Sequence, residues 1–149
     1  MGSRVISTFV LLLACCLGGC MPMGNWQPEF ALAQDPVDPV RIGKERFRAG
    51  DFGLAESSFR RAVEDSPANA EAWLGLAAAH DQLGRFDLAD HDYARLEPML
   101  GKSAAFLNNR GYSYLLRGDR LRARKDLEKA LSMDPDNLSI RANLAQLRG

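Results

Sequence analysis

Beyond residue 20 the chain has no cysteine: Cys15, Cys16 and Cys20 are its only thiols in 149 residues. That absence excludes a disulfide scaffold, a cysteine-ligated zinc site and a cysteine nucleophile from the rest of the length. Histidine is nearly as scarce. His80 and His91 lie eleven apart and give no pair with metal-ligand spacing on one helical turn. An excess of charge is missing too. The 19 Lys and Arg balance 19 Asp and Glu, so nothing draws the chain as a whole toward nucleic acid. No Ser-His-Asp arrangement, phosphate-cradling glycine loop or carboxylate pair stands out beyond helix-surface spacing, and His80, Tyr112 and Tyr114 give no catalytic set. What is present is apolar content, at 46%, too much for a chain that stays unfolded without net charge. The balance points to binding, with no enzyme chemistry, no metal and no cofactor.

Long apolar runs are also lacking. Val5 to Leu17 follows the single positive charge of Arg4, but it falls short of the about 18 to 20 residues a helix needs to cross a bilayer. A basic start, an apolar middle and small residues at the end describe an export signal. Its last residues, Leu17-Gly18-Gly19-Cys20, resemble the lipobox of bacterial lipoproteins. The resemblance implies a signal peptide over 1–19, lipidation of Cys20 and a chain held at the bacterial cell envelope by its lipid anchor. Met21, in place of Asp, implies the outer membrane, facing the periplasm. Leu12-Leu13-Ala14-Cys15 and cleavage after Ala31-Leu32-Ala33 remain alternatives. Residues 20–38 read as a flexible tether, interrupted by Pro22, Pro28 and Pro36. Within it, Trp26 and Phe30 are either incidental or dip into the lipid interface.

The remainder repeats with a period of 34. Gly50, Gly84 and Gly118 align, as do Ala55, Ala89 and Ala123, and Phe59, Tyr93 and Leu127. Further columns are Gly43, Ala77 and Gly111; Asn69, Ser103 and Asn137; and Pro67, Gly101 and Pro135. The second unit opens Trp73-x-x-Leu76-Ala77-x-x-His80 and continues Ala89-x-x-x-Tyr93. This pattern resembles the tetratricopeptide repeat, a helix-turn-helix unit. The glycine column suits turns of positive φ, and the small residues allow close helix approach. The Asn/Ser column suits helix N-caps, and Pro67 and Pro135 stop the second helices. The expected architecture is an all-α solenoid over 39–149, with repeats at about 36–69, 70–103 and 104–137 and a capping helix in 138–149. The predicted helices are 39–49, 52–65, 70–83, 86–98, 104–117, 120–132 and 138–147. Arg141, Gln146 and Arg148 supply the polar outer face such a cap needs. Two residues break their columns: Arg110 stands where Ile42 and Leu76 are aliphatic, and Glu97 where Val63 and Leu131 are apolar. Arg110 can lay its stem on apolar surface while its head reaches an acid; Glu97 predicts a looser junction.

In stacks of this family the first helices line the concave side. That face takes Lys44, Phe47, Leu74, Ala78, Asp81, Asn108, Asn109, Tyr112, Leu115, Asn143 and Gln146. The resemblance implies peptide binding by Asn108, Asn109, Tyr112 and Asn143, with Asn109 and Asn143 clamping an extended backbone. The cations of a carboxylate-gripping clamp are mostly missing, which disfavours recognition of a free C-terminus. Charge is uneven, with net −3 over 70–103 and net +4 over 104–149. The run Arg117, Arg120, Arg122, Arg124 and Lys125 reads either as a solvated face or as a dock for an acidic partner or anionic headgroups. The stretches Leu107-Asn108-Asn109-Arg110-Gly111-Tyr112 and Asp134-Pro135-Asp136-Asn137 resemble the tetratricopeptide lipoproteins of Flp/Tad-type pilus assembly. That likeness implies a pilotin-like adaptor with a secretin or other pilus component as partner. The alternative is a lipoprotein scaffold that recruits or regulates cell-envelope enzymes.

Overall fold

The computed structural model describes residues 38–148. The signal segment, the lipidation cysteine and most of the tether lie outside the described residues. Seven helices follow in order: α1 Pro39–Arg48, α2 Phe52–Asp65, α3 Ala70–Gln82, α4 Phe86–Leu100, α5 Ala104–Leu116, α6 Arg120–Met133 and α7 Leu138–Ala145. They form three hairpins, α1–α2, α3–α4 and α5–α6, with α7 covering the third. This is the predicted all-α arrangement of three repeats and a cap. Among the described residues no helix is long and apolar enough to cross a membrane.

The repeat columns explain the boundaries. Gly50, Gly84 and Gly118 turn each hairpin at φ of 82, 69 and 79°, a region in which a Cβ is strained. Asn69 accepts a hydrogen bond from the Ala72 N–H at 3.0 Å, Ser103 from Phe106 at 3.3 Å, and Asn137 from Ser139 at 3.1 Å. Each bond satisfies a donor that the first turn of a helix leaves open. Six of the seven predicted C-terminal ends shift by one or two residues. Two ends move by two residues: α7 stops at Ala145, and α4 continues past Pro98 to Leu100. A proline in the last turn removes only its own N–H, and the stop comes from Gly101 at φ 60°.

Close approach is concentrated on the ring of Phe59. A Cβ on Gly43 would come within 2.7 Å of that ring, and one on Gly75 within 2.3 Å. The phenyl therefore sits in a slot between the first helices of two successive hairpins. Gly111 repeats the device on a smaller scale, where a Cβ would meet Leu127 at 2.8 Å. Around these points Ala55, Ala62, Val63, Ala72, Leu76 and Ala79 bury one apolar cluster. Ala77, Ala89, Tyr93, Leu96, Phe106, Leu107 and Ile140 bury a second.

Candidate partner-binding groove

Three first helices lie side by side, and their helical spacing sets one face of each along a common groove. From α1 come Lys44 and Phe47, from α3 Leu74, Gly75 and Ala78, and from α5 Asn109. These line a cavity of about 290 Å³ whose floor is the edge of Phe59. An adjoining cavity of about 280 Å³ shares Phe47, Leu74, Ala78 and Asn109 and adds Asp81, Tyr93, Tyr112 and Leu116. The two make one trough, with an apolar floor and polar groups at its margins. Lys44 is ion-paired to Glu71 at one end.

Of the residues expected to bind peptide, Asn109 and Tyr112 line the trough. The Asn109 amide donates to the Ala105 carbonyl at 3.0 Å, which leaves its side-chain oxygen as an acceptor. Asn108 and Asn143 line neither cavity. The Asn143 amide donates to the Asn108 side-chain oxygen at 3.0 Å, and Gln146 donates to Asn143 at 3.4 Å, so these three tie α7 to α5. Leu115, expected on this face, packs instead against the cluster of Ala123, Leu127 and Leu147, and its neighbour Leu116 takes the groove position.

Asp81 lies at the trough but turns inward. Its carboxylate accepts from the Ser113 hydroxyl at 2.7 Å and the Tyr93 hydroxyl at 3.2 Å, with the Arg117 guanidinium 3.8 Å away. Burial nevertheless raises the Asp81 pKa above the ordinary carboxylate value, outweighing the two hydrogen bonds and the arginine. Burial beside that carboxylate also pushes the Tyr93 phenol well above its usual range. Arg117 completes the network by bonding Asp90 at 2.8 Å and lying 4.9 Å over the Phe86 ring.

A second buried cluster joins α2, α3 and α4. His80 Nδ1 meets Asp92 at 2.7 Å, and Nε2 faces Glu56 at 3.4 Å without an aligned hydrogen bond. Glu56 is held by Arg60 and Arg85. His80, which shares its column with Tyr114, is a packing residue on sequence grounds; that it packs between two carboxylates is not evident from that column. The signal was there: Glu56 shares its column with Asp90 and Arg124, and Asp92 with Ser58 and Asp126, so neither column is apolar. The carboxylates meet opposite ring nitrogens instead of converging on a point.

The two departures from the columns are likewise accommodated. Arg110 grips Asp126 through Nε at 2.7 Å and a terminal nitrogen at 3.2 Å, and covers the Phe106 ring at 4.9 Å. The bond to Asp126 raises the Arg110 pKa despite partial burial. Glu97 is 3.6 Å from Arg110 and 3.5 Å from Lys102, so an ion cluster occupies the position where a looser junction was expected.

Stacked helical hairpins with an open trough along their inner helices define a repeat-built binding module. Residues 40–104 match one tetratricopeptide repeat family model and residues 104–137 another. The chain belongs to the tetratricopeptide repeat family. It is 32% identical over 124 residues to the cellulose synthase operon protein C of Xanthomonas axonopodis pv. citri, covering 78% of this chain and 8% of that protein. It spans less than a third of the length of the curated relatives it matches. Among solved structures, a tetratricopeptide protein of Thermus thermophilus superposes with TM-score 0.69 at 24% identity, over 78% of this chain and 66% of that one. The Yersinia enterocolitica type III secretion chaperone SycD, in complex with a peptide of the translocator YopD, superposes with TM-score 0.60 at 19% identity, over 74% and 84%.

Proposed function

We propose that the chain is a non-enzymatic adaptor whose α1–α3–α5 trough receives a segment of a protein partner during assembly of a Flp/Tad-type pilus or secretion apparatus. One observation carries the binding role: two adjoining, largely apolar cavities that share Phe47, Leu74, Ala78 and Asn109 lie along the first helices of all three hairpins, with Tyr112 lining one of them. Apolar floor supplies affinity and the few polar groups orient the guest. Family membership supports the same reading. The pilus assignment rests on the third-unit residues from Leu107 to Tyr112 and on Asp134 to Asn137. Cys20 lipidation would keep the module at the outer membrane, on its periplasmic side.

The test is recovery of partners by crosslinking the full-length chain in its native envelope. A secretin or another pilus component should be captured by wild type and lost with Ala78→Arg, which puts a charge on the trough floor. Secretin multimers should fall when the chain is deleted. Capture that ignores Ala78→Arg would refute the trough, and unchanged multimers would refute the pilus role. Cys20→Ala should abolish acyl labelling; persistence would move the anchor to Cys15. A second reading, a scaffold for envelope enzymes, is supported by the likeness to a protein named for a cellulose synthase operon. Recovery of a wall hydrolase or synthase in place of a secretin would favour it.

A further inference from the structure

The groove between the two helices of a hairpin is filled in the second unit and open in the third. In the second unit Trp73 fills it: the indole N–H donates to the Pro67 carbonyl at 2.9 Å, and the ring lies 6.3 Å from His91. One period on, Trp73 becomes Leu107, His91 becomes Lys125, Arg95 becomes Lys129 and Leu88 becomes Arg122. The smaller Leu107 leaves a cavity of about 290 Å³ between α5 and α6, lined by five cations and one acid. The acid, Asp126, is already committed to Arg110 through two hydrogen bonds.

Most of the basic run that the sequence singles out is engaged by the chain's own groups, although Arg120, Arg122 and Arg124 are exposed. Arg117 bonds Asp90, Arg122 bonds Asp119, and Arg120 and Arg124 donate to the Leu147 carbonyl at 2.7 and 3.4 Å. Lys125 and Lys129 have no carboxylate partner among the described residues, and both are exposed. They stand with Lys102 and Arg122 around a floor of Leu107 and Tyr114.

We propose that this cavity is a second docking site, taking one bulky aromatic side chain from an acidic segment of a protein partner. The shape argues for a side chain, since the third unit lacks the indole its neighbour carries at this place. The rim argues for acids on either side of it, because cations around an apolar slot are matched by flanking carboxylates. A lipid surface would need a broad basic face without such a slot. This site is distinct from the trough and stands or falls without it.

The probe is a dye-labelled peptide, Asp-Glu-Asp-Trp-Asp-Glu-Asp, followed by fluorescence anisotropy with the full chain. Saturable binding is expected, weakening as salt screens the rim. Replacing the peptide's Trp by Ala should weaken it about tenfold. Lys125→Glu with Lys129→Glu should also cost about tenfold, since two attractions become repulsions. Leu107→Trp should abolish binding by filling the slot, with helicity retained by circular dichroism. Ala78→Arg should leave it unchanged, separating this site from the trough. No saturable binding, or binding indifferent to Leu107→Trp, overturns the proposal. So does sedimentation with phosphatidylglycerol vesicles that depends on Lys125 and Lys129 while the peptide fails to bind.

Discussion

Replacing Gly75 by alanine sets two effects of opposite sign against each other. In a helix interior the change gains about 1 kcal/mol, because glycine has more backbone freedom to lose on folding. Against it, the new Cβ would meet three ring atoms of Phe59 at 2.3, 2.5 and 2.6 Å. Gly43 closes the other side of the slot, so the ring can give way only toward the trough and out of its contacts. Overpacking of this kind costs about 1 to 3 kcal/mol, and a blocked ring puts the cost at the upper end. The net expectation is a loss of about 2 kcal/mol, or roughly 10 °C in midpoint for a domain of this size. Gly53→Ala is the matched control. It also lies in a helix but has nothing within 4 Å of the added Cβ, so it should stabilise by about 0.5 kcal/mol. Urea denaturation of both variants, and of Gly75→Ala with Phe59→Leu, measures the terms. The shorter leucine should recover at least about 1 kcal/mol. If Gly75→Ala is as stable as wild type, or the double variant shows no coupling, the slot argument is wrong.

Two further outcomes follow from the buried polar clusters. Asp81→Ala leaves the Ser113 hydroxyl without its acceptor and the Tyr93 hydroxyl with only the Asn109 carbonyl, at 3.2 Å, and should cost about 2 kcal/mol. In Asp81→Asn the amide oxygen still accepts from Ser113 and the amide N–H donates to the Tyr93 oxygen, so that variant should stay within about 1 kcal/mol of wild type. Because burial raises the Asp81 pKa, the folded state binds the proton more readily. The stability this provides is fully present below about pH 4 and is lost as pH rises through the raised value, so wild type minus Asp81→Asn should decline from about pH 4 upward. A difference that grows with pH in urea titrations would reverse the argument. His80→Ala strips Asp92 of its 2.7 Å partner in a buried site and should cost about 3 kcal/mol, partly recovered by adding Asp92→Ala. A loss under about 1 kcal/mol would show Asp92 to be held elsewhere.

The helices, their turns and caps were legible in the sequence because each depends on residues a few positions apart or on a column repeated every 34. Asn69 caps the helix beside it, and Gly84 turns the chain where it stands. The buried networks were not legible on those terms. Ser113 bonds Asp81 across 32 residues and His80 bonds Asp92 across 12, pairings that only the packing of one hairpin on another brings about. The same cause hid the internal partners of the basic run. Arg120 and Arg124 are exposed as a solvated face would have them, yet both reach the Leu147 carbonyl, and the half-buried Arg117 finds Asp90 and the Phe86 ring. For the trough, helical spacing placed Asn109 and Tyr112 correctly. It failed at Leu115, because one step of about 100° on a helix decides between that residue and Leu116.

A stack of similar hairpins has a problem that a single core does not: each sticky face resembles the next, so hairpins can pair out of order. The columns of Phe47, Asp81 and Leu115 and of Glu45, Ala79 and Ser113 bear on it. Where the first hairpin meets the second, these columns bring the Phe47 ring against the cluster containing Ala79. Where the second meets the third, they bring Asp81 onto Ser113 at 2.7 Å. Setting the first hairpin on the third would press Phe47 onto a hydroxyl and take from the buried Asp81 carboxylate its Ser113 donor, leaving it only the Tyr93 hydroxyl of its own hairpin. A buried carboxylate oxygen that loses its donor in that way costs more than the bond gains. The same columns thus carry apolar contact at one junction and a hydrogen-bonded pair at the other, and only the native order satisfies both. The trough runs across both junctions, so the order that satisfies Asp81 is also the order that aligns Phe47, Leu74, Ala78 and Asn109 into one surface.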